Sequence, residues 1–146
     1  MIKVTVSGGF DPLHIGHIRL LMEAKEMGDH LIVILNNDNW LIKKKGLVFM
    51  PQAERKEIIE SIRYVDEVLI SNHPHNPTDM SVCQELLHCR PNFFVNGGDR
   101  NLDNIPEVEV CNTINCKMIF NKGVGGKVQS SSWLLEKVGS HQVTKI

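Results

Sequence analysis

The sequence predicts a single α/β domain, residues 1–146, built on a parallel sheet of five strands with helices on both faces and right-handed crossovers. Short β-rich runs alternate with helical periodicity along the chain. One run, Leu31 to Leu35 (LIVIL), is apolar at every position, as a central strand covered on both faces requires. The size of 146 residues, with 42% hydrophobic and 23% charged residues, fits one ordinary core, with no linker, repeat or low-complexity stretch.

The elements follow in order. Lys3 to Ser7 (KVTVS) reads as the first strand and Gly8-Gly9 ends it. From about His17 to Met27, Leu20, Leu21 and Ala24 recur at helical spacing, and Gly28 marks the stop. After the second strand, Asn36 to about Met50 reads as a polar, lysine-rich loop. Pro51 suits the first position of a helix that runs to about Ile62, with Ala53, Ile58, Ile59 and Ile62 available for burial. Glu67 to Ile70 is the third strand, and residues 79–88 form a helix capped by Thr78. Phe93 to Val95 is the fourth strand, stopped by Gly97-Gly98. Pro106 to about Ile114 reads as a short helix, Lys117 to Phe120 as the fifth strand and Ser131 to Val138 as the last helix. In such sheets ligands gather at the C-terminal ends of the strands.

A formal charge of −1 argues against a general nucleic-acid or membrane-surface binder. No apolar run reaches the roughly 20 residues of a membrane span, and no signal-peptide pattern opens the chain, so a cytoplasmic protein is expected. Cys83, Cys89, Cys111 and Cys116 lack the close spacing of a zinc site, even with His88 beside Cys89, and read as small buried thiols.

The chemistry concentrates in Ser7-Gly8-Gly9-Phe10-Asp11-Pro12-Leu13-His14-Ile15-Gly16-His17, which leaves the first strand and opens the first helix. Gly8 and Gly9 allow a ligand close to the backbone. His14 and His17 are three apart and face one point at the helix start, with Gly16 removing bulk between them. Free N–H groups there, beside two imidazole donors, make a phosphate site. Such a site suits stabilisation of charge on pentacoordinate phosphorus, where positioning and electrostatics dominate and no Ser or Cys nucleophile is needed.

His14-Ile15-Gly16-His17, within a Gly-x-Phe-Asp-x-x-His-x-Gly-His frame, resembles the signature of the nucleotidyltransferases with a His-x-Gly-His motif on a Rossmann-like sheet. The likeness spans nearly the whole chain and is strongest toward cytidylyltransferases of the glycerol-3-phosphate type and adenylyltransferase domains of the ADP-heptose type. It implies a nucleotidyltransferase that moves a nucleoside monophosphate from CTP, or alternatively ATP, to a phosphorylated sugar, polyol or similar small acceptor. Pyrophosphate leaves, the acceptor phosphate is the in-line nucleophile, and Mg²⁺ travels with the triphosphate. His14 and His17 are the implied phosphate contacts, with Ser7, Gly8, Gly9, Phe10 and Gly16 around the nucleotide. A homodimer is also in keeping with the resemblance.

The same resemblance assigns the supporting residues. Lys44 or Lys45, in the run Lys43 to Lys45, clamps the triphosphate. Arg63, in Arg63 to Val68 (RYVDEV), contacts phosphate and leans toward CTP, and Arg55 fills a further arginine position. Guanidinium forks suit both tasks. Gly98 and Asp99, in Asn96 to Arg100 (NGGDR), read the ribose or base and lean toward ATP. Ser130 and Ser131 bind triphosphate oxygens at the start of the last helix, although Gln129 and Leu135 depart from the usual pattern. Residues 71–81 help to shape the acceptor pocket. A nucleotide-binding sensor without turnover is the competing reading, and pyrophosphate release separates the two.

Overall fold

The computed structural model describes residues 1–97 and 105–122. Five parallel strands, β1 (Lys3–Gly8), β2 (His30–Leu35), β3 (Glu67–Ile70), β4 (Phe93–Gly97) and β5 (Lys117–Lys122), form one sheet in the order β3-β2-β1-β4-β5. The helices are α1 (Ile15–Glu26), α2 (Asp38–Lys45), α3 (Gln52–Glu60), α4 (Cys83–Cys89) and α5 (Ile105–Thr113). The Rossmann-like expectation holds. Strand order reverses beside β1, so the crevice between the ends of β1 and β4 is the switch point at which such sheets take ligands.

Strand alternation sorts the core into two faces. Val4, Val6, Leu31, Val33, Leu35 and Val95 pack on the α1 and α3 side with Leu21, Ala24 and Ile59. Ile34 and Phe94 pack on the α4 and α5 side with Val82, Leu86, Cys111 and Ile114. Fully burying one such aliphatic side chain is worth about 1.5–3 kcal/mol, so both faces contribute heavily to stability.

Four expectations are corrected. The lysine-rich segment is not a loop throughout, because it holds α2. The Asn37 side chain caps that helix by accepting from Trp40 N–H at 3.0 Å, Asp38 sits in its first turn and Lys43, Lys44 and Lys45 in its last. Gly46, at φ 85°, ends it in the left-handed conformation that favours glycine. Pro51 is the N-cap of α3 rather than its first helical residue, and the side chains that α3 buries are Arg55 and Ile59, with Ala53 and Ile58 exposed. α4 starts at Cys83 rather than near residue 79, its N-cap is Val82, and Thr78 does not cap it. α1 begins before His17, because His14 caps it. The helix expected from Ser131 lies outside the described residues.

Candidate active site

β1 runs out at Gly8, and the turn to α1 carries the expected residues to the mouth of the sheet. A Cβ on Gly8 would press on the Phe10 ring at 3.2 Å, and one on Gly9 would strike Leu41 Cδ2 at 2.9 Å. Gly8 and Gly9 thus pack closely against Phe10 and α2, and Gly8 also lines the cavity beside Lys44. Phe10 is buried at φ 50° and meets the His17 ring edge-on at 4.8 Å. Asp11, 1% exposed, accepts N–H bonds from Phe49 and Met50, both at 2.7 Å, and so fastens this turn to the segment after α2.

The two histidines form a reciprocal cap. His14 Nδ1 accepts from Gly16 N–H at 3.1 Å, and His17 Nδ1 accepts from His14 N–H at 3.1 Å. The rings stack with centroids 3.7 Å apart. Three of the helix-start N–H groups expected to hold phosphate, those of His14, Gly16 and His17, are thus already engaged, the last bonded to His14 O at 3.0 Å. What the arrangement fixes instead is the tautomer: a neutral imidazole that accepts at Nδ1 carries its hydrogen on Nε2. Burial, then the neighbouring His14 and Lys45, pull the His17 pKa down to about 3. At neutral pH His17 is therefore an oriented, uncharged donor, suited to hydrogen-bonding developing charge and unsuited to acid catalysis.

The positive charge comes from α2. Lys45 Nζ reaches Asp11 O at 3.4 Å, and burial lowers its pKa, opposed by the nearby Asp11. Lys44 lines a cavity of about 240 Å³ with Ser7, Gly8, Asn36, Trp40 and Glu107. Met80, from the 71–81 segment, and Val82 complete its apolar side. Lys43 instead bonds Asn76 Oδ1 at 3.1 Å. Consecutive lysines of one helix turn thus serve two neighbouring places, Lys45 the histidines and Lys44 the cavity.

Two expected arginines do not face this mouth. Arg55 is 1% exposed and spends its donors on Met50 O (2.8 Å), Gly9 O (2.8 Å), Asn36 O (2.7 Å) and Asp38 Oδ1 (2.6 Å). It ties the turn after β1 to the end of β2, the start of α2 and the chain leading into α3, and so positions the site instead of gripping phosphate. Arg63 is exposed in the connection from α3 to β3, at the N-terminal edge of the sheet, the far end from His14 and His17. Its guanidinium lies over the adjoining Tyr64 ring and bonds the Tyr64 hydroxyl at 2.8 Å. In the same segment Asp66 pairs with Lys25 at 2.6 Å and accepts Leu31 N–H at 2.8 Å, so within one chain the Arg63–Val68 stretch braces the sheet. Gly98, Asp99, Arg100, Ser130 and Ser131 lie outside the described residues.

The sequence reading missed Asn36, Trp40 and Glu107. Asn36 closes a strand and Trp40 follows an N-cap, signals that a loop assignment hid; nothing local marks Glu107. Among the described residues no group of three or more His, Cys, Asp or Glu is gathered to hold a metal ion, and no helix is long and apolar enough to cross a membrane.

Comparison with known proteins bears on this geometry. A family model described as cytidylyltransferase-like matches residues 5–120. A FAD synthase of Pyrococcus abyssi is 36% identical over 129 residues, 88% of this chain and 77% of that protein. A glycerol-3-phosphate cytidylyltransferase of Bacillus subtilis is 46% identical over 99 residues, 68% of this chain and 73% of that protein. The crystal structure of a lipopolysaccharide core biosynthesis protein from Thermoplasma volcanium superposes with a TM-score of 0.67 at 26% identity, covering 84% of this chain and 98% of that one.

Proposed function

The chain belongs to the cytidylyltransferase-like family, and on that premise we propose that it transfers a nucleoside monophosphate from CTP to a small phosphorylated polyol or sugar and releases pyrophosphate. The observation that carries this reading is the reciprocal histidine cap, which holds the His17 ring neutral with its hydrogen on Nε2 beside Lys45. The triphosphate lies on the histidine side, where Lys45 offsets its charge and the imidazoles donate to oxygens that gain charge as the α-phosphorus becomes pentacoordinate. The acceptor enters the cavity beside Lys44, on the other side of the Gly8–Gly9 turn, so its phosphate oxygen attacks as pyrophosphate departs. Two lysines on one helix turn hold the partners in register, which is where most of the rate of such a transfer arises. When bound, Mg²⁺ supplies partial neutralisation of the triphosphate oxygens.

CTP is favoured by the 46% identity to the glycerol-3-phosphate cytidylyltransferase. A short acceptor is favoured by the cavity of about 240 Å³, smaller than the roughly 300–1,000 Å³ usual for drug-sized ligands. The broader match to a FAD synthase favours a second reading, with ATP as donor and FMN as acceptor. The resemblance of Asn96 to Asp99 to the ADP-heptose type favours a third reading, ATP with a sugar phosphate. A pyrophosphate-release screen of CTP, ATP, UTP and GTP against glycerol 3-phosphate, ribitol 5-phosphate, sugar 1-phosphates and FMN separates them. Turnover with CTP and a polyol or sugar phosphate is expected. ATP with FMN, or ATP with a sugar phosphate, would replace the CTP reading, and no release with any pair would overturn the transferase.

A further inference from the structure

His73, 8% exposed in the segment after β3, is a buried histidine that the transfer leaves unused. Its Nδ1 lies 2.7 Å from Ser71 Oγ and its Nε2 2.9 Å from Ser81 O. A carbonyl can only accept, so Nε2 carries the ring hydrogen and Nδ1 accepts from the Ser71 hydroxyl. Ser71 Oγ in turn accepts the Asn37 N–H at 2.9 Å. His73 O accepts from the side chains of Asn37 at 2.9 Å and Asn39 at 3.0 Å. Ser71 is itself a fixed point, because its N–H continues the pairing of β3 with β2 to Leu35 O at 2.8 Å. Hydrogen bonds thus run in one direction from the start of α2, through Ser71 and the His73 ring, to Ser81.

Both ends of that network reach the cavity. Ser81 stands between Met80 and Val82, which line it. The peptide joining Ser81 to Val82 is held from both sides, its carbonyl by His73 and its N–H by Glu107 Oε1 at 3.3 Å. Met80 O accepts the Trp40 indole N–H at 2.9 Å. At the other end Asn37 is the N-cap of α2, which carries Trp40 and Lys44 to the same cavity. A residue needed only to fill space could be an apolar side chain of similar volume, whereas each nitrogen of this ring joins a different wall to the end of β3. We propose that His73 is a positioning residue for the transfer, hanging the Met80–Val82 wall and the start of α2 from the end of β3 and so setting the shape of the cavity. This rests on the reading that the acceptor occupies that cavity. The histidine side is tied separately, through Asp11 to Lys45 and through Arg55 to Gly9 and Asp38.

Two amides separate the ring nitrogens. His73→Asn keeps an acceptor for the Ser71 hydroxyl but is too short for Ser81, and His73→Gln reaches Ser81 with an N–H while giving up the Ser71 bond. Each protein is assayed for pyrophosphate release with CTP and glycerol 3-phosphate and for binding of each by calorimetry. The Trp40 indole resonance is followed by NMR, assigned by its loss in Trp40→Phe. His73→Asn should raise the KM for glycerol 3-phosphate by roughly tenfold, the worth of one hydrogen bond, with kcat and CTP affinity held within about twofold. Its indole proton should move upfield and exchange faster as the Met80 carbonyl shifts. His73→Gln should restore both. A merely structural role would lower Tm in both variants without separating KM from kcat.

An unchanged KM and indole resonance in His73→Asn, an equal fall in CTP affinity, no recovery in His73→Gln, or failure of both variants to fold would overturn the proposal. If the wild type releases no pyrophosphate with any pair, the transferase reading fails by itself. The indole resonance then decides for His73: a shift in His73→Asn that His73→Gln restores upholds its hold on the wall, and no shift removes it.

Discussion

At the scale of single residues, the proposed role of His17 separates its two ring nitrogens. Nδ1 holds the start of α1, and the Nε2 hydrogen is the one that the proposed function offers to a phosphate oxygen. Removing the His17 donor should therefore lower kcat by about two to three orders of magnitude, the usual effect of losing one preorganised donor. His17→Asn is the sharper variant than His17→Ala, because the amide oxygen can still accept from the backbone N–H of residue 14. Near-normal turnover in a folded His17→Asn protein would remove the phosphate role.

The same residue makes a pH prediction. Its pKa drops from 6.5 to about 3 on folding. Between those values the unfolded chain binds a proton there that the folded chain does not, so stability rises with pH across that window and is lost on acidification, by up to about 1.4 kcal/mol per pH unit. Denaturant titrations from pH 7 to pH 4 should show this slope, shallower in His17→Asn; identical slopes would place the acid sensitivity elsewhere.

At the scale of elements, Arg55 fastens four pieces of chain to one another. Taking it away leaves buried carbonyls of Gly9 and Asn36 unpaired and frees the Asp38 partner at the start of α2. Arg55→Met should cost about 3–5 kcal/mol, and Arg55→Lys should recover little, since an ammonium cannot span the fork. Chemical denaturation measures both, and a loss below about 1 kcal/mol would mean the neighbouring segments hold without it.

The strands were legible in the sequence because apolar runs bounded by turn residues have few alternatives. α2 was not, although Asn37, Asp38, the lysines and Gly46 spell a helix with both ends marked. Three lysines in a row read first as a solvated loop, and an eight-residue helix buries too little to show periodicity. The burial of Arg55 escaped for a related reason: helical patterning counts apolar side chains, and a guanidinium satisfied on several sides looks like any exposed arginine. His14 and His17 were legible as a pair, whereas their capping bonds needed coordinates.

At the scale of the whole molecule, the sheet separates the two parts of the candidate site. α1 and the histidines stand on one face of the β1 terminus, the cavity opens on the other, and α2 bridges them. The cavity lining includes no cysteine. Cys89, Cys111 and Cys116 are buried and Cys83 partly so, all as free thiols. A chain with all four replaced by Ala should keep its kcat, with only a lower Tm. Protein treated with chelator and returned to excess Mg²⁺ should do the same. One tightly held zinc per chain, with activity lost on chelation, would overturn this.

The reciprocal cap has a consequence for how loss of function would be inherited. In many enzymes the reacting groups strain the fold, so a copy released from its task drifts toward stabler, inactive sequences. Here the imidazoles anchor a helix, so substitutions at His14 or His17 that leave no acceptor for the cap also loosen the protein. A gene kept only for a folded product would retain His14 and His17 long after turnover had ceased.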